Sequence, residues 1–398
     1  MQSWQKIGEV PMTVGLALVV GLVSGGASAI FLASLDWATQ WRMDHEFIIY
    51  ALPIAGIVIG WLYSQIGQPL QGGHNLIIDT LQDGGPEIPA RVAPLVLVGT
   101  ILTHLFGGSA GREGAAVQIS ASLTDWFAHR LKISSEVRRD LLAAGVAGGF
   151  GSVFGTPVAG TIFGLEFAAR GRLQYSALLG AFVAATSGDW VTRSLGIEHT
   201  HFPQLDHLDF SPAIAAKWIV FSMFIGAICR LFIECTHRLA DALKSKISAM
   251  HWRMAVGGLA IVAFWRALGT SEYQGLGVAT IERSFTDATI PIWAAFAKLA
   301  ATSVTLASGF LGGEVTPLFF IGATLGNSLA GLLDLPLAYC AALGMIGLFA
   351  AASHAPLALC LMAVELFGSS VLPHVVLVAI LATRFKGDRS IYRAQRPH

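Results

Sequence analysis

The sequence predicts an all-α, polytopic membrane protein made of two related halves. Three observations carry that prediction. Of 398 residues, 54% are hydrophobic and only 13% charged, against roughly a quarter charged in an ordinary soluble chain. The apolar residues fall in runs that approach the ~20 residues a spanning helix needs. Two glycine- and proline-bearing segments far apart in the chain also match each other position by position.

The long apolar runs are 12–34, 47–65, 92–107, 173–186, 212–233, 254–264 and 290–311, separated by short polar or basic breaks. Each predicts a helix, spanning or nearly so. The runs 114–124 and 316–333 are shorter or broken by Gly and polar residues, and predict helices that stop inside the protein. Backbone can break at membrane depth only where protein or a watery cavity satisfies it. The N-terminus, MQSWQKIGEVPM, lacks the basic stretch and cleavage site of a secretory signal, so the first run is expected to remain as a helix. Basic residues cluster at Arg130–Arg139, Arg170 and Arg172, Lys244–Arg253 and Arg384–Arg396. By the positive-inside rule these loops and the C-terminus face the cytoplasm. Net charge is zero, with no basic block to engage nucleic acid. Cys229, Cys235, Cys340 and Cys360 lie in or beside apolar segments without metal-ligand spacing and read as packing residues.

The internal match pairs residues 145–166 with 344–365. Gly145, Gly148, Phe150, Pro157, Ala159 and Glu166 stand opposite Gly344, Gly347, Phe349, Pro356, Ala358 and Glu365, each pair 199 positions apart. A second echo sets Glu113 against Glu314, each just after a glycine-rich stretch. The halves are taken as 10–195 and 213–385, a connector as 196–212, and a C-terminal helix or tail as 386–398, all of one transport unit. Transporters of this plan hold their substrate at the repeat interface, on discontinuous helices. The polar connector carries His199, His201 and His207, expected to be solvent-exposed. Glu166 and Glu365 close the repeated helices that Pro157 and Pro356 open; their symmetry points to a structural task, holding a loop or helix end.

Four segments each introduce a short helix: LQGGHNLI (70–77), GGSAGREGAAV (107–117), GSVFGTPVAG (151–160) and GFLGGEVTPLFF (309–320). The first turn of a helix has unpaired N–H groups and a positive dipole end. Several such ends meeting inside a membrane would hold an anion without a full positive charge, and so allow release as well as binding. The candidate anion-binding residues are therefore Gly72, Gly73, His74 and Asn75; Gly111, Arg112 and Gly114; Phe154 and Gly155; and Val315, Thr316, Phe319 and Phe320. Glu113 and Glu314 are the candidate gate and proton carriers, since a carboxylate inside a membrane is costly unless it has work. Ionised at a helix start, Glu113 would fill an anion's place; protonated, it would leave it. No phosphate-binding loop fits GGSAGREG, which lacks the Gly-Lys-Ser/Thr ending.

These motifs together resemble the CLC family of chloride channels and proton-coupled antiporters, and within it the fluoride-transporting CLC-F branch. GREGA is similar to the family's GREGP segment, which makes Glu113 the external gating glutamate. GGEVTPLFFIGATLGN is similar to the CLC-F version of the GxFxP segment, where chloride members mostly lack the equivalents of Glu314 and Thr316. DRSIY places Tyr392 at the family's inner-gate tyrosine, and QGGHNLI falls where chloride members have GSGIP. His74 departs from the Asn or small polar residue of better-known members. Phe167 follows Glu166 where many chloride antiporters carry a second acid, which leaves Glu314 as its substitute. The resemblance implies a CLC-type fold with two inverted repeats of tilted and broken transmembrane helices. It also implies a homodimer with one pore per subunit in the plasma membrane, most simply a bacterial inner membrane. The sequence stops soon after Tyr392, without the cytoplasmic regulatory domains of many eukaryotic members.

The expected function is export of fluoride in exchange for protons, with no cofactor, metal or catalytic residue. The alternative is a chloride/proton antiporter or chloride channel on the same fold. An intramembrane enzyme is the remote alternative: no HExxH, no GxSxG and no paired intramembrane aspartates occur.

Overall fold

The computed structural model describes residues 2–66, 73–85 and 87–396. Sixteen α-helices and no strand occur among them. In order these are α1 (Gln2–Asp44), α2 (Leu52–Ile66), α3 (His74–Asp83), α4 (Val92–Leu105), α5 (Glu113–Arg130), α6 (Ser135–Phe154), α7 (Pro157–Glu166) and α8 (Leu178–Ser194). The second half continues with α9 (Pro212–Lys246), α10 (Met250–Leu268), α11 (Val278–Arg283), α12 (Trp293–Ser308), α13 (Val315–Leu333), α14 (Leu337–Ser353), α15 (Pro356–Phe367) and α16 (Leu372–Lys386).

Among the described residues, five segments are long and apolar enough to cross a membrane: Pro11–Asp44, Glu46–Ile66, Pro212–Lys246, Val315–Leu333 and Ser369–Lys386. The chain is a multi-pass membrane protein. Helix α2 shows how residue size sorts its faces. Ile54, Val58 and Trp61 point outward, each more than half exposed, while Gly56 and Gly60 press on Met254 and His251 of α10. Large apolar residues meet lipid; small ones let backbones approach. The same device joins α13 to α14. A Cβ on Gly322 would stand 2.2 Å from the Gly344 carbonyl oxygen, and one on Gly344 would stand 2.1 Å from that of Gly322.

Three boundaries differ from the sequence expectation. The run 173–186 starts its helix only at Leu178, after a 3-10 turn over Tyr175–Ala177. Helix α16 lies in a run that Pro373 and His374 interrupt, which is why composition did not single it out. No helix follows Lys386: residues 387–396 are bends and turns tied down by side chains.

The connector also differs. It is irregular as expected, but it is strapped across the second half rather than free. Leu205 N donates to Phe367 O at 3.0 Å, and the Tyr339 hydroxyl donates to Asp206 O at 2.7 Å. His201 and His207 are exposed, whereas His199 is buried beside Asp189, with Nε2 at 3.5 Å from its carboxylate. A polar loop satisfies its backbone by docking where helices end, and one of its histidines goes in with it.

The repeated helices pair across the molecule. Glu365, near the end of α15, accepts from Val158 N (2.9 Å) and Ala159 N (2.7 Å) in the first turn of α7. Glu166, ending α7, accepts from Leu357 N (3.3 Å) and Ala358 N (3.0 Å) in the first turn of α15. Each helix closes the start of the other, so the two run antiparallel. Pro157 and Pro356 hold the first turns, where no amide is missed.

Candidate functional site

The site is built where two helix starts are brought together. The segment before α5 turns at Gly107 (φ +87°) and is anchored by Ser109, whose N–H donates to Thr305 Oγ1 (3.1 Å) and whose hydroxyl meets Thr302 Oγ1 (2.9 Å). The segment before α13 turns at Gly309 and Gly312, with φ of +101° and +151°. The segments then meet in one antiparallel bridge: Gly111 N donates to Gly313 O (2.6 Å) and Gly313 N to Gly111 O (2.7 Å). Glycine is required there. A Cβ on Gly313 would lie 2.7 Å from Gly114 N, inside the first turn of α5.

Glu113 opens α5 and is 2% exposed. Its carboxylate is seated on the first turn of α13. Thr316 N donates to Oε2 at 3.1 Å, and the Thr316 hydroxyl lies 2.7 and 2.6 Å from the two oxygens. The Arg112 backbone N–H donates to Oε2 at 3.2 Å, and its guanidinium Nε stands 3.4 Å from Oε1 as an ion pair without a hydrogen bond. The carboxylate therefore occupies a set of donors that would suit a free anion. Outside it lies a small cavity of about 30 Å³, lined by Arg112, Glu113, Phe154, Thr316, Phe319 and connector residues Thr200 and Phe202. That is room for very few water-sized species. The Phe154 and Phe319 rings stand 5.5 Å apart at its wall.

Glu314 faces the other way. It is the residue just before α13, 6% exposed, and its Oε1 has no hydrogen-bond partner. It lines an inner cavity of about 320 Å³ together with Gly73, His74, Asn75, Gln118 and Tyr392. Lys244, Arg253 and His237 also line this cavity. Tyr392 is 4% exposed, with its ring 5.1 Å from His74 and 5.2 Å from Phe167. Its segment is pinned by Gln395 Nε2, which donates to Phe167 O and Ser353 O, both at 2.9 Å.

Not every expected residue comes to this place. Gly72 lies outside the described residues. Asn75 lines the inner cavity, but its Oδ1 accepts from Ala394 N at 2.8 Å, so its side chain clasps the C-terminal segment. Phe320 turns away from the site, 6.0 Å from Tyr273 and with Lys298 Nζ 5.3 Å from its ring centre. Consecutive helical residues point about 100° apart, so Phe319 and Phe320 cannot both wall one pore. Val315 is buried and lines neither cavity. Gly155 ends α6 at φ +72°, and its carbonyl accepts from Arg193 Nη2 at 3.1 Å; it turns the chain. The start of α7 is closed as well, since Glu365 takes two of its free amides. The helix starts meeting Glu113 and the inner cavity are those of α5, α13 and α3.

Sequence reasoning missed Gln118, Thr200 and Phe202. Gln118 sits five residues into α5 beyond Glu113, a spacing that could have signalled it. The connector's contribution carried no signal at all, because it comes from a chain crossing between repeats.

A family model described as voltage gated chloride channel matches residues 55–387. A chloride/fluoride channel protein of Pseudomonas syringae pv. tomato is 44% identical over 394 residues, covering 96% of this chain and 86% of its own length. The H(+)/Cl(-) exchange transporter ClcA of Vibrio parahaemolyticus is 26% identical over 97% of this chain and 89% of its own length. Among solved structures, a CLC-type fluoride/proton antiporter superposes with a TM-score of 0.95 at 35% identity, covering 98% of this chain and 99% of that one. A slow cyanobacterial Cl-/H+ antiporter superposes with a TM-score of 0.84 at 21% identity, a likeness of fold alone.

Proposed function

The chain belongs to the voltage gated chloride channel family, and on that premise we propose that it exports fluoride in exchange for protons. The observation that carries the proposal is the Glu113 carboxylate on the Thr316 amide and hydroxyl. An ionised Glu113 and a fluoride ion compete for the same donors. Protonation weakens the carboxylate's hold, because the charge that strengthens its hydrogen bonds is removed. The anion then takes the seat while the side chain carries a proton. Fluoride, small and strongly hydrated, suits a seat of short N–H and O–H donors that replace its water. Glu314, with one oxygen unpartnered at the inner cavity, serves as a second proton stop.

Arg112 tethers Glu113, and the Phe154 and Phe319 ring edges line the approach. A cytoplasmic position for that face is supported by the basic residues Lys244 and Arg253 at the inner cavity and Arg389 and Arg393 near the C-terminal segment, through the positive-inside rule. The chain acts in the bilayer as a homodimer with a pore in each subunit, in a bacterial inner membrane.

The deciding experiment is halide efflux from reconstituted vesicles, with and without a pH gradient. Fluoride efflux coupled to proton uptake, with chloride efflux far slower, is the expected result. Equal rates for chloride would overturn fluoride selectivity, and efflux without proton uptake would overturn exchange.

A further inference from the structure

Between the two glutamates stands a titratable side chain that neither seat accounts for. His74 is the first residue of α3, 8% exposed, and lines the inner cavity. Its ring lies against the first turn of α5: a Cβ on Gly114 would stand 2.6 Å from His74 Cε1 and 3.0 Å from Nε2. Gly114 is the residue after Glu113, so the Cε1–Nε2 edge of the ring lies against the helix start that carries the gate. The opposite edge, Nδ1, is 3.5 Å from Gln118 Nε2, one turn further along α5. Two aromatic rings lie beside it, Tyr392 tilted at 5.1 Å and Phe167 edge-on at 6.0 Å.

We propose that His74 is a proton-carrying residue, receiving the proton from Glu113 as it swings inward and passing it to the cavity shared with Glu314. This rests on the exchange reading above. In the step, protonated Glu113 gives its proton to Nε2 of neutral His74, leaving a carboxylate and an imidazolium. The imidazolium then releases the proton to Glu314 or to water in the inner cavity, and the neutral ring is restored. Gln118 suits both forms. Its amide can donate to an unprotonated Nδ1 or, turned over, accept from a protonated one, so either tautomer and the cation keep a partner.

The groups facing the ring are consistent with transient charge. Glu314 before α13 and Tyr392 on the C-terminal segment share its cavity with the cations Lys244 and Arg253 and the imidazole of His237, and Glu113 is the chain neighbour of Gly114, which the ring abuts. The Tyr392 and Phe167 rings beside it hold the imidazole in place. The Oδ1 of its neighbour Asn75 is taken up by Ala394 N.

The test is fluoride efflux and proton uptake measured separately in the same vesicles for wild type, His74→Gln and His74→Asn. In both variants protons moved per fluoride should fall by about tenfold, equivalent to ~1.4 kcal/mol, whatever the change in fluoride efflux itself. A folded variant that keeps the wild-type proton ratio overturns the proposal. Should both variants aggregate, Gln118→Ala, which removes the partner of Nδ1, decides: an unchanged proton ratio overturns it, and a lowered ratio supports it. Wild-type vesicles that export fluoride without proton uptake would instead refute the exchange reading.

Discussion

The molecule carries two pairs of glutamates at repeat-related positions, and the pairs have opposite fates. Glu166 and Glu365 keep the symmetry of the halves. Each accepts two amides from the start of the other's helix, and all four hydrogen bonds run from 2.7 to 3.3 Å. Glu113 and Glu314 break the symmetry. Glu113 is the first residue of α5, but Glu314 precedes the first residue of α13. That offset of one residue turns the two carboxylates to opposite sides of the Gly111–Gly313 bridge, one toward the outer cavity and one toward the inner. A matched pair can satisfy each other and nothing more. The mismatched pair leaves one carboxylate on the Thr316 donors and the other with an unpartnered oxygen, an asymmetry that the proposed exchange would use.

The largest effect expected of a test falls on Glu113. Glu113→Ala should abolish proton uptake while fluoride efflux persists, because the seat loses its tethered competitor; proton-coupled efflux surviving intact would erase the distinction between the pairs. Next comes Glu314→Gln, which should lower proton uptake by about tenfold. It should leave thermal stability nearly unchanged, since Glu314 Oε1 has no partner to lose. A large drop in melting temperature would make Glu314 a structural cap after all.

Glu365→Ala should behave in the reverse manner. It removes the acceptor of two first-turn amides of α7, those of exposed Val158 and buried Ala159; the Ala159 amide costs about 1–3 kcal/mol when left unsatisfied, so the unfolding midpoint should fall while protons moved per fluoride stay the same. A changed ratio would bring the symmetric pair into the mechanism. The smallest effect is expected of Thr316→Ser, which keeps both donors to Glu113. Transport within about twofold, well under 1 kcal/mol, would show that donor chemistry rather than the threonine methyl makes the seat.

Much of the site was legible before any coordinates. Glu113, Thr316 and Glu314 could be picked out because a carboxylate or hydroxyl after a glycine-rich break in apolar sequence has few other reasons to exist. The resemblance of GREGA and GGEVTPLFF to one family did the rest. Phe320 was not separable from Phe319 by composition, since both are large and apolar; only the helical rotation sends one to the site and the other to Lys298. Gly155 and the start of α7 read as anion ligands because a glycine-proline break looks the same whether or not a carboxylate fills it. His199 and Thr200 lay in a polar connector, where nothing local distinguishes a buried residue from a solvated one.

Sequence by itself determined the solvent, the class of fold and the two-half plan. Those follow from local composition and from spacing along one chain: apolar runs of spanning length, and a Pro and a Glu repeated at one interval. Tertiary structure alone decided which helix starts stay open. An amide in a first turn binds whatever acceptor is nearest in space, and the acceptor here comes from the other half of the protein, some two hundred residues away in sequence.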